Sequence, residues 1–349
     1  MAEYLRNAWY MAGWESEIEG DALLSRKLLD RPMLIYRRAD GDGYVMMEDR
    51  CAHRFAPLRL GRREGDTIVC GYHGLTYDRT GACVRNPFSK QIPDRAKVAV
   101  VPVSAKYGIL WFWPGDPSLA DLGNIPDFSC LAPNARHSRL VVAANYQLIT
   151  DNLMDLSHIE FVHIGTFGGA GVIFQGEHEV KPDGDAIWSN WWMPNIDPPP
   201  WAAGMSPAPK LDHWLNMRWN APATMMLETG ICPADSVART VPMPMPSERD
   251  CHILTPETEF STHYFYTSSE MQELASVEKA YYDEDKPILE AVQRSMGDTD
   301  FWGKQPVILG VDAAAIRVRR RLAKLILDER GATNPASAEQ LEDLSSVSP

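Results

Sequence analysis

The chain has 349 residues, which is enough for about two domains of ordinary size, each with its own hydrophobic core. Apolar residues make up 45% of it and charged residues 23%, a composition that excludes collagen-like, fibrous and wholly disordered proteins. The net charge of −13 argues against a nucleic-acid or anionic-membrane partner, because a surface that binds phosphate groups needs a positive field.

The first third of the chain is predicted to consist of short β-strands. Apolar and aromatic segments at 23–29, 33–36 and 44–48 are separated by turn signals, and similar segments continue to residue 113. The sequence Pro-Gly-Asp-Pro at 114–117 then breaks the pattern. We therefore expect an all-β first domain and a domain boundary near residues 115 to 135.

The second part of the chain is predicted to be mixed. The predicted elements are helices at 145–162, 270–296 and 311–328 and strands at 178–193 and within 211–267. Long antiparallel strands flanked by helices predict an α+β domain. The last helix is amphipathic, and its basic residues are expected largely on the solvent side: Arg317, Arg319, Arg320, Arg321 and Lys324. Residues 331–349 are small and polar and are expected to form a flexible tail.

Two short segments of the first part have metal-ligand spacing. Cys51-Ala52-His53 and Cys70-Gly71-Tyr72-His73 each offer one thiol and one imidazole, with sixteen residues between the segments. Two thiolates and two imidazoles can hold zinc, but a finger-type site brings both cysteines on one knuckle and both histidines on a helix. The mixed pairs favour a two-iron, two-sulfide cluster in which the cysteines hold one iron and the histidines the other. Structural zinc and unrelated side chains are the alternatives, and visible absorption separates the cluster from both.

The segment from Asp151 to His163 carries a second candidate metal site. His158 and His163 are five residues apart, so their side chains would lie about 140° apart on a regular helix. Both reach one metal only if the helix bends, bulges or ends between them. With one carboxylate they would form the triad of non-heme Fe(II) oxygenases, which leaves positions open for dioxygen and substrate.

The pattern does not choose the carboxylate. Asp155 precedes His158 by three residues and shares its helix face, where it can orient a ligand or bridge to another group. The third ligand must come from elsewhere, and the second predicted helix offers three adjacent candidates: Asp283, Glu284 and Asp285. Taken alone, the two histidines would be ordinary helix-end residues. A one-electron cluster in the same chain favours the iron site.

Together these motifs resemble those of the Rieske non-heme iron oxygenases, in particular the oxygenase components of the dicamba and vanillate O-demethylases. The likeness covers nearly the whole chain. The segments that carry it are Arg6 to Tyr10, Cys51 to Leu58, Tyr72 to Leu75, Asp151 to His163 and His252 to Glu259.

The resemblance implies a fold and a set of ligands. It implies a Rieske domain at 1–130 and a catalytic domain of the helix-grip type at 131–330, in which helices flank an antiparallel sheet. It assigns a [2Fe-2S] cluster to Cys51, His53, Cys70 and His73. It assigns a mononuclear Fe(II) to His158, His163 and Asp285.

The resemblance also implies partners. The family forms a ring-shaped homotrimer in which His73 of one subunit approaches Asp155 of the next, so that electrons cross between subunits through a hydrogen-bonded carboxylate. Asn152 would lie beside the iron ligands, where such partners tune the metal. The electrons would come from NADH or NADPH through a separate reductase, usually with a ferredoxin.

The substrate region follows the family only in part. His252 matches a substrate-contacting histidine, whereas the companion asparagine falls near Glu228. By resemblance we expect a monooxygenase that uses O2 to demethylate a methoxylated aromatic acid and releases formaldehyde. The alternatives are hydroxylation of the ring or side chain of another aromatic compound, and a Rieske electron carrier that has lost catalysis.

Two further features of the sequence are less specific: a tryptophan-rich segment and the signals of cellular location. Tryptophans crowd around the prolines at 198–200, so that residues 188–214 are a candidate lid over the pocket or a packed surface loop. The six cysteines have no paired spacing, the start of the chain lacks the pattern of a signal peptide, and every apolar run is interrupted. We therefore expect a cytoplasmic protein that does not enter a membrane.

Overall fold

The structure, a computed structural model, describes residues 3–131, 135–199, 202, 207–234, 248–268 and 274–333. The chain divides into two compact units. The first comprises Met1–Ile125 together with Thr255–Glu259, and the second comprises Pro126–Leu254 together with Phe260–Pro349. Most of the expected flexible tail, from 334 onward, lies outside the described residues.

The described part of the first unit consists of short antiparallel strands in small sheets, as expected. The strands are β1 (Tyr10–Trp14), β2 (Leu24–Leu28), β3 (Arg31–Arg37), β4 (Tyr44–Glu48), β5 (Arg62–Glu64), β6 (Thr67–Val69), β7 (Thr76–Tyr77), β8 (Cys83–Arg85), β9 (Val103–Lys106) and β10 (Ile109–Phe112). Their sheet orders are β1-β10-β9, β2-β3-β4 and β5-β6-β7-β8. Strands β2, β3 and β4 confirm the predicted segments at 23–29, 33–36 and 44–48.

The core of the first unit holds both cysteines of the first motif. Leu34 of β3, Ile68 of β6 and Tyr77 of β7 belong to a cluster of buried residues that also contains Cys51 and Cys70. Alternation along each strand turns one side chain in two toward this core. The two thiols are therefore fixed by packing as well as by their own loops.

The second unit is built on a seven-stranded sheet. Its strands are β11 (Arg136–Val142), β12 (Glu177–Asp183), β13 (Ala186–Ile196), β14 (Leu211–Asn220), β15 (Thr224–Pro233), β16 (Glu248–Thr258) and β17 (Ser261–Ser268). The sheet order is β11-β17-β16-β15-β14-β13-β12. The predicted strands and the α+β class are confirmed.

Helices accompany this sheet. They are α1 (Tyr146–Met154), α2 (Ile159–Val162), α3 (Leu274–Glu278), a π-helical segment (Lys279–Asp285), α4 (Lys286–Met296) and α5 (Ala313–Thr333). The single helix predicted at 145–162 is wrong in its extent, because α1 ends at Met154 and a separate short helix follows. The helix predicted at 270–296 is confirmed from residue 274 onward, with a π-helical segment that the pattern did not indicate.

Helix α5 differs from its prediction at one basic residue. Arg319 is buried, not solvent-facing, and its guanidinium donates to both carboxylate oxygens of Asp151 in α1 at 2.5–2.9 Å. It also stacks on the ring of Phe301, 4.1 Å from the ring centroid. Amphipathic periodicity assigns a charged residue to solvent, but this one finds a charged partner inside the unit. The pair fastens α5 to the helix that precedes the two histidines.

Replacing Arg319 with alanine is expected to destabilise the second unit by about 3–5 kcal/mol, the cost of leaving one member of a buried ion pair alone. Burial already raises the pKa of Asp151 to about 6, although Arg319 lowers it. Without Arg319 that pKa rises further, so folding favours the protonated carboxyl and the loss of stability grows from pH 6 to pH 8. Urea unfolding measures it, with exposed Arg320→Ala as the control. Equal unfolding midpoints for the two variants would contradict the expectation.

Candidate metal centres

The two cysteine–histidine segments form loops of one design. In loop 1 (51–56) the Cys51 N–H donates to the carbonyl of Ala56 at 2.9 Å, and the Phe55 N–H donates to the Cys51 carbonyl at 2.9 Å. In loop 2 (70–75) the amide of the cysteine and the amide four residues later make the same two bonds, at 2.8 and 2.9 Å. The residue four positions after each cysteine has a left-handed backbone: Phe55 at φ 58° and Gly74 at φ 73°. The two loops therefore have the same backbone conformation, which we call a knuckle.

The loops place thiols inward and imidazoles outward. Cys51 and Cys70 are each 2% exposed, whereas His53 is exposed and His73 is half-buried. The two rings lie together, with centroids 4.7 Å apart. Burial raises the pKa of Cys70, while the amides of Tyr72 and His73 oppose that rise. Amides that donate to sulfur stabilise its negative charge, so the donor set fits a [2Fe-2S] cluster bound at one iron by sulfur and at the other by nitrogen.

Tyr77 is a further partner of the first loop. Its hydroxyl lies 3.2 Å from Sγ of Cys51 and accepts from the Ala52 N–H at 3.2 Å. A cysteine that binds iron does so as a thiolate, which only accepts, so with a cluster bound the proton of Tyr77 would point to the sulfur. A hydroxyl at a ligand sulfur is a contact that spacing alone does not predict.

The second candidate site depends on the interruption of the helix. After α1 the backbone of Asp155 is extended, with φ −116° and ψ 91°, and its carboxylate accepts from the Ser157 N–H at 3.0 Å. A 3-10 turn then ends at His158, and His163 follows directly after α2. The requirement that the helix end or bend between the histidines is met.

Asp285 completes the triad, our name for His158, His163 and Asp285. Its Oδ1 lies 3.6 Å from Nε2 of His158 and 3.4 Å from Nε2 of His163. One ligand atom from each of the three residues lies within 4.8 Å of the others. Two imidazole nitrogens and one carboxylate on one side of a point fit a non-heme ferrous iron, because the opposite side stays open. Of the three acidic candidates left open by the pattern, the geometry brings Asp285 to both nitrogens.

Hydrogen bonds on the far side of each ring set the same tautomer. The Nδ1–H of His158 donates to the Asp155 carbonyl at 2.6 Å, and the Nδ1–H of His163 donates to Oε2 of Glu284 at 2.8 Å. Carbonyl and carboxylate oxygens only accept, so Nε2 of each ring keeps its lone pair. Burial pushes the pKa of Glu284 upward, but hydrogen bonds from His163 and Thr166 outweigh it and lower that pKa.

Two predicted neighbours of the triad have defined contacts. The side-chain amide of Asn152 donates to Oδ1 of Asp285 at 3.3 Å, which is the expected place beside the iron ligands. The carboxylate of Asp155 caps the 3-10 turn through Ser157. Both residues therefore belong to the local structure that presents the histidines.

Glu160 organises the chain after His163, a role that the sequence analysis missed. Its buried carboxylate accepts three backbone N–H groups, from Gly169 and Gly171 through Oε2 and from Ile173 through Oε1, at 2.8–2.9 Å. A carboxylate two residues after a ligand histidine and ahead of a glycine-rich run is the signal that could have indicated it. The loop it folds contributes Thr166 and Phe167 to a pocket.

That pocket lies between the glycine-rich loop and the sheet. Besides the loop, it is lined by Glu160, by one histidine and by apolar residues: His213, Ile159, Val172, Met193 and Leu215. Burial lowers the pKa of His213 to about 4, so this ring is neutral at physiological pH. The triad itself does not line this pocket, but Ile159 directly follows His158, and the mostly apolar lining suits an aromatic ligand.

The two predicted substrate residues are not brought together. His252 on β16 is 1% exposed and its Nδ1 lies 2.7 Å from the Tyr264 hydroxyl, while its Nε2 has no hydrogen-bond partner among the described residues. Strand pairing sets His252 opposite Met225 and Glu228 opposite Arg249. Because side chains alternate along a strand, Glu228 points to the other face of the sheet. There it accepts from Arg249 Nε at 2.9 Å, so the structure does not bring Glu228 to His252.

Strands form both ends of the tryptophan-rich segment. Residues 186–196 belong to β13 and residues 211–220 to β14, so the lid proposed for 188–214 does not extend over those parts. The rings of Trp192 and Trp214 stack across the two strands with centroids 5.9 Å apart. Trp201 and residues 203–206 lie outside the described residues.

Comparison with known proteins gives two family matches. The model of the Rieske [2Fe-2S] domain matches residues 8–102, and the model of the vanillate O-demethylase oxygenase C-terminal domain matches residues 142–328. Each match covers one of the two candidate centres. Within the described residues, no helix is long and apolar enough to cross a membrane.

Individual relatives span nearly the whole chain. The iron–sulfur subunit of the toluene-4-sulfonate monooxygenase system of Comamonas testosteroni is 33% identical, over 95% of this chain and 100% of the relative. The oxygenase component of dicamba O-demethylase from Stenotrophomonas maltophilia is 35% identical, over 92% of this chain and 98% of the relative. The crystal structure of dicamba monooxygenase bound to dicamba has a TM-score of 0.83 and 34% identity, covering 95% of this chain and 100% of that chain. Another structure of that enzyme contains non-heme iron and dicamba.

Replacing Tyr77 with phenylalanine is expected to lower the reduction potential of the cluster. The hydroxyl donates to Sγ of Cys51 and favours the more negative, reduced state, and phenylalanine removes that bond with little change of shape. A redox titration followed by electron paramagnetic resonance measures the potential. Tyr44→Phe, whose hydroxyl contacts Glu15 and Arg37, is the matched control. A Tyr77→Phe potential equal to that of the control would refute the assignment.

Proposed function

Because this chain belongs to the Rieske non-heme iron oxygenases, we propose that its two knuckles and its triad bind the two cofactors of that family. The cluster ligands are Cys51, His53, Cys70 and His73, and the iron ligands are His158, His163 and Asp285. The observation that carries the assignment is the convergence of two Nε2 atoms and one carboxylate within 4.8 Å of one another. When bound, the cluster supplies electrons singly and the iron activates dioxygen for insertion of one oxygen atom into a C–H bond.

The reaction we propose is O-demethylation of a methoxylated aromatic acid. One aryl methyl ether, O2, NAD(P)H and a proton give the phenol, formaldehyde, water and NAD(P)+. The support comes from the dicamba and vanillate O-demethylases among the relatives, the latter 31% identical over 86% of this chain in a Pseudomonas protein. Hydroxylation of the methyl group gives a hemiacetal, and loss of formaldehyde from it breaks the C–O bond.

His252 and Tyr264 would orient the substrate. Burial raises the pKa of Tyr264 well above its ordinary value and lowers that of His252 to about 4, so both are neutral at physiological pH. In the tautomer we propose, the tyrosine hydroxyl donates to Nδ1 and the proton of the neutral histidine lies on Nε2. That N–H is the group on His252 available to an oxygen atom of the substrate, and its burial makes an unmet hydrogen bond costly.

Hydroxylation of a methyl group on an aromatic side chain, or of the ring, is the second candidate. The observation that favours it is the toluene-4-sulfonate monooxygenase subunit among the relatives. The third candidate, an electron carrier without catalysis, is opposed by the intact triad and by the bonds that orient its rings. A protein that only carried electrons would have no need of these groups.

We propose a homotrimer in which His73 of one subunit passes electrons to Asp155 of the next. The support is a set of exposed apolar side chains around the two knuckles: Phe55, Leu60, Tyr72 and Phe88. Apolar surface of this kind marks a protein interface. A reductase, with or without a ferredoxin, would deliver electrons to the cluster from NAD(P)H. None of the six cysteines is in a disulfide, which supports a reducing, cytoplasmic location.

Replacing His158 with alanine tests the iron assignment. The variant is expected to keep the visible spectrum of the cluster while losing mononuclear iron and substrate turnover, because one of three protein ligands is gone. Iron analysis and oxygen uptake measure the two losses. The control is His178→Ala, a histidine on β12 that contacts Ser189 and Trp191. Wild-type iron content and turnover in His158→Ala would overturn the assignment.

A substrate panel separates demethylation from hydroxylation. With methoxylated aromatic acids, the purified oxygenase and a reductase are expected to consume O2 and release formaldehyde in equal amounts. With the matching methylated or unsubstituted aromatics, hydroxylation would consume O2 and give a hydroxylated product without formaldehyde. Turnover confined to that second set would contradict O-demethylation and support the second candidate.

A further inference from the structure

Glu284 and Asp285 contact opposite edges of one imidazole ring. Glu284 Oε2 lies 2.8 Å from Nδ1 of His163, and Asp285 Oδ1 lies 3.4 Å from Nε2 of the same ring. Adjacent residues of a regular α-helix point about 100° apart. Both residues belong instead to the π-helical segment Lys279–Asp285, whose turn is wider. The ring is therefore held between two consecutive carboxylates.

We propose that Glu284 is a positioning residue of the iron site, which fixes the tautomer and the orientation of His163 so that Nε2 faces the metal. This inference rests on the proposed role of the triad. Glu284 accepts at Nδ1, so the ring proton is held there and the lone pair remains on Nε2. A carboxylate acceptor also makes the imidazole a stronger metal ligand than water or an apolar neighbour would.

The two histidines of the triad are oriented by different acceptors. Nδ1 of His158 donates to the backbone carbonyl of Asp155 at 2.6 Å, an uncharged group that every residue type supplies. Nδ1 of His163 depends on one side chain, that of Glu284. A substitution at Glu284 therefore changes one ligand and leaves the other unchanged. Of the two histidines, only His163 has a charged hydrogen-bond acceptor at Nδ1.

Glu284 is itself held in place. The hydroxyl of Thr166 donates to Oε2 at 2.8 Å, and Nζ of Lys279 lies 3.6 Å from Oε1. The side chain of Glu284 is 12% exposed and that of His163 is 4% exposed, so little water competes for their hydrogen bond. Contacts from the loop after α2 and from the π-helical segment thus converge on one carboxylate.

The test compares Glu284→Gln and Glu284→Ala with Asp283→Asn. Asp283 is the adjacent acidic residue and is exposed, so its variant controls for the loss of one negative charge near the site. Each protein, with its cluster intact, is equilibrated without oxygen against graded Fe(II), and bound iron is measured. The electron paramagnetic resonance spectrum of the nitric oxide adduct reports the geometry of the site independently of turnover.

Glu284→Ala is expected to bind iron about 10- to 100-fold more weakly than the control, with a changed adduct spectrum. Glu284→Gln is expected to lie between the two, because its amide oxygen still accepts from Nδ1 but carries no charge. Should the alanine variant fail to fold, as shown by loss of the helical circular dichroism that the second unit supplies, the glutamine variant is compared with the same control.

Wild-type iron affinity and adduct spectra in the Glu284 variants would overturn the positioning role. That outcome is distinct from failure of the proposed function. If wild-type protein bound no mononuclear iron, or if His158→Ala bound it as well as wild type, the triad assignment itself would fall and the positioning role with it. If the wild type binds iron and His158→Ala does not, only the Glu284 variants bear on the inference.

Discussion

An imidazole binds a metal reliably through one nitrogen only when an acceptor holds the other, and the catalytic half of this protein depends on that constraint. For His158 the acceptor is the carbonyl of Asp155, which faces the ring because α1 ends one residue earlier. For His163 it is Glu284, which reaches the ring from a π-helical segment. Both acceptors arise where a regular helix is interrupted. The irregular backbone is therefore part of the chemistry of the site.

In the first unit, two loops of the same conformation position the candidate cluster ligands. Two loops with the same pair of backbone hydrogen bonds each turn a cysteine toward the core and a histidine toward the surface. Phe55 and Gly74 take the same left-handed position, so the loops share a geometry but not a sequence. In the proposed cluster, the sulfur ligands would be buried and the nitrogen ligands would lie near the surface. The imidazole side would then be the side that a redox partner can approach.

The features that depend on neighbouring residues in the sequence could be predicted from it. The knuckles, the strands of the first unit and the two histidines were visible because ligand spacing, turn residues and apolar segments are short-range signals. The face of Glu228 was not, because it depends on the register of β15 against β16. The partner of Arg319 was not, because Asp151 lies 168 residues away. Which of three consecutive acidic residues is the third metal ligand depends on the π-helical segment. The periodicity of the sequence does not predict that segment.

Strand β16 ends outside the unit in which it begins. Thr255–Glu259 belongs to the first unit, where Thr255 donates to the Met11 carbonyl at 2.7 Å and the Leu29 amide donates to the Pro256 carbonyl at 2.8 Å. The first unit is therefore discontinuous in sequence. A gene fragment that stops at Ile125 omits one of its pieces, and exchange of this unit between homologous enzymes must carry a second, short segment. In this chain the second piece, Thr255–Glu259, is encoded 130 codons downstream of Ile125.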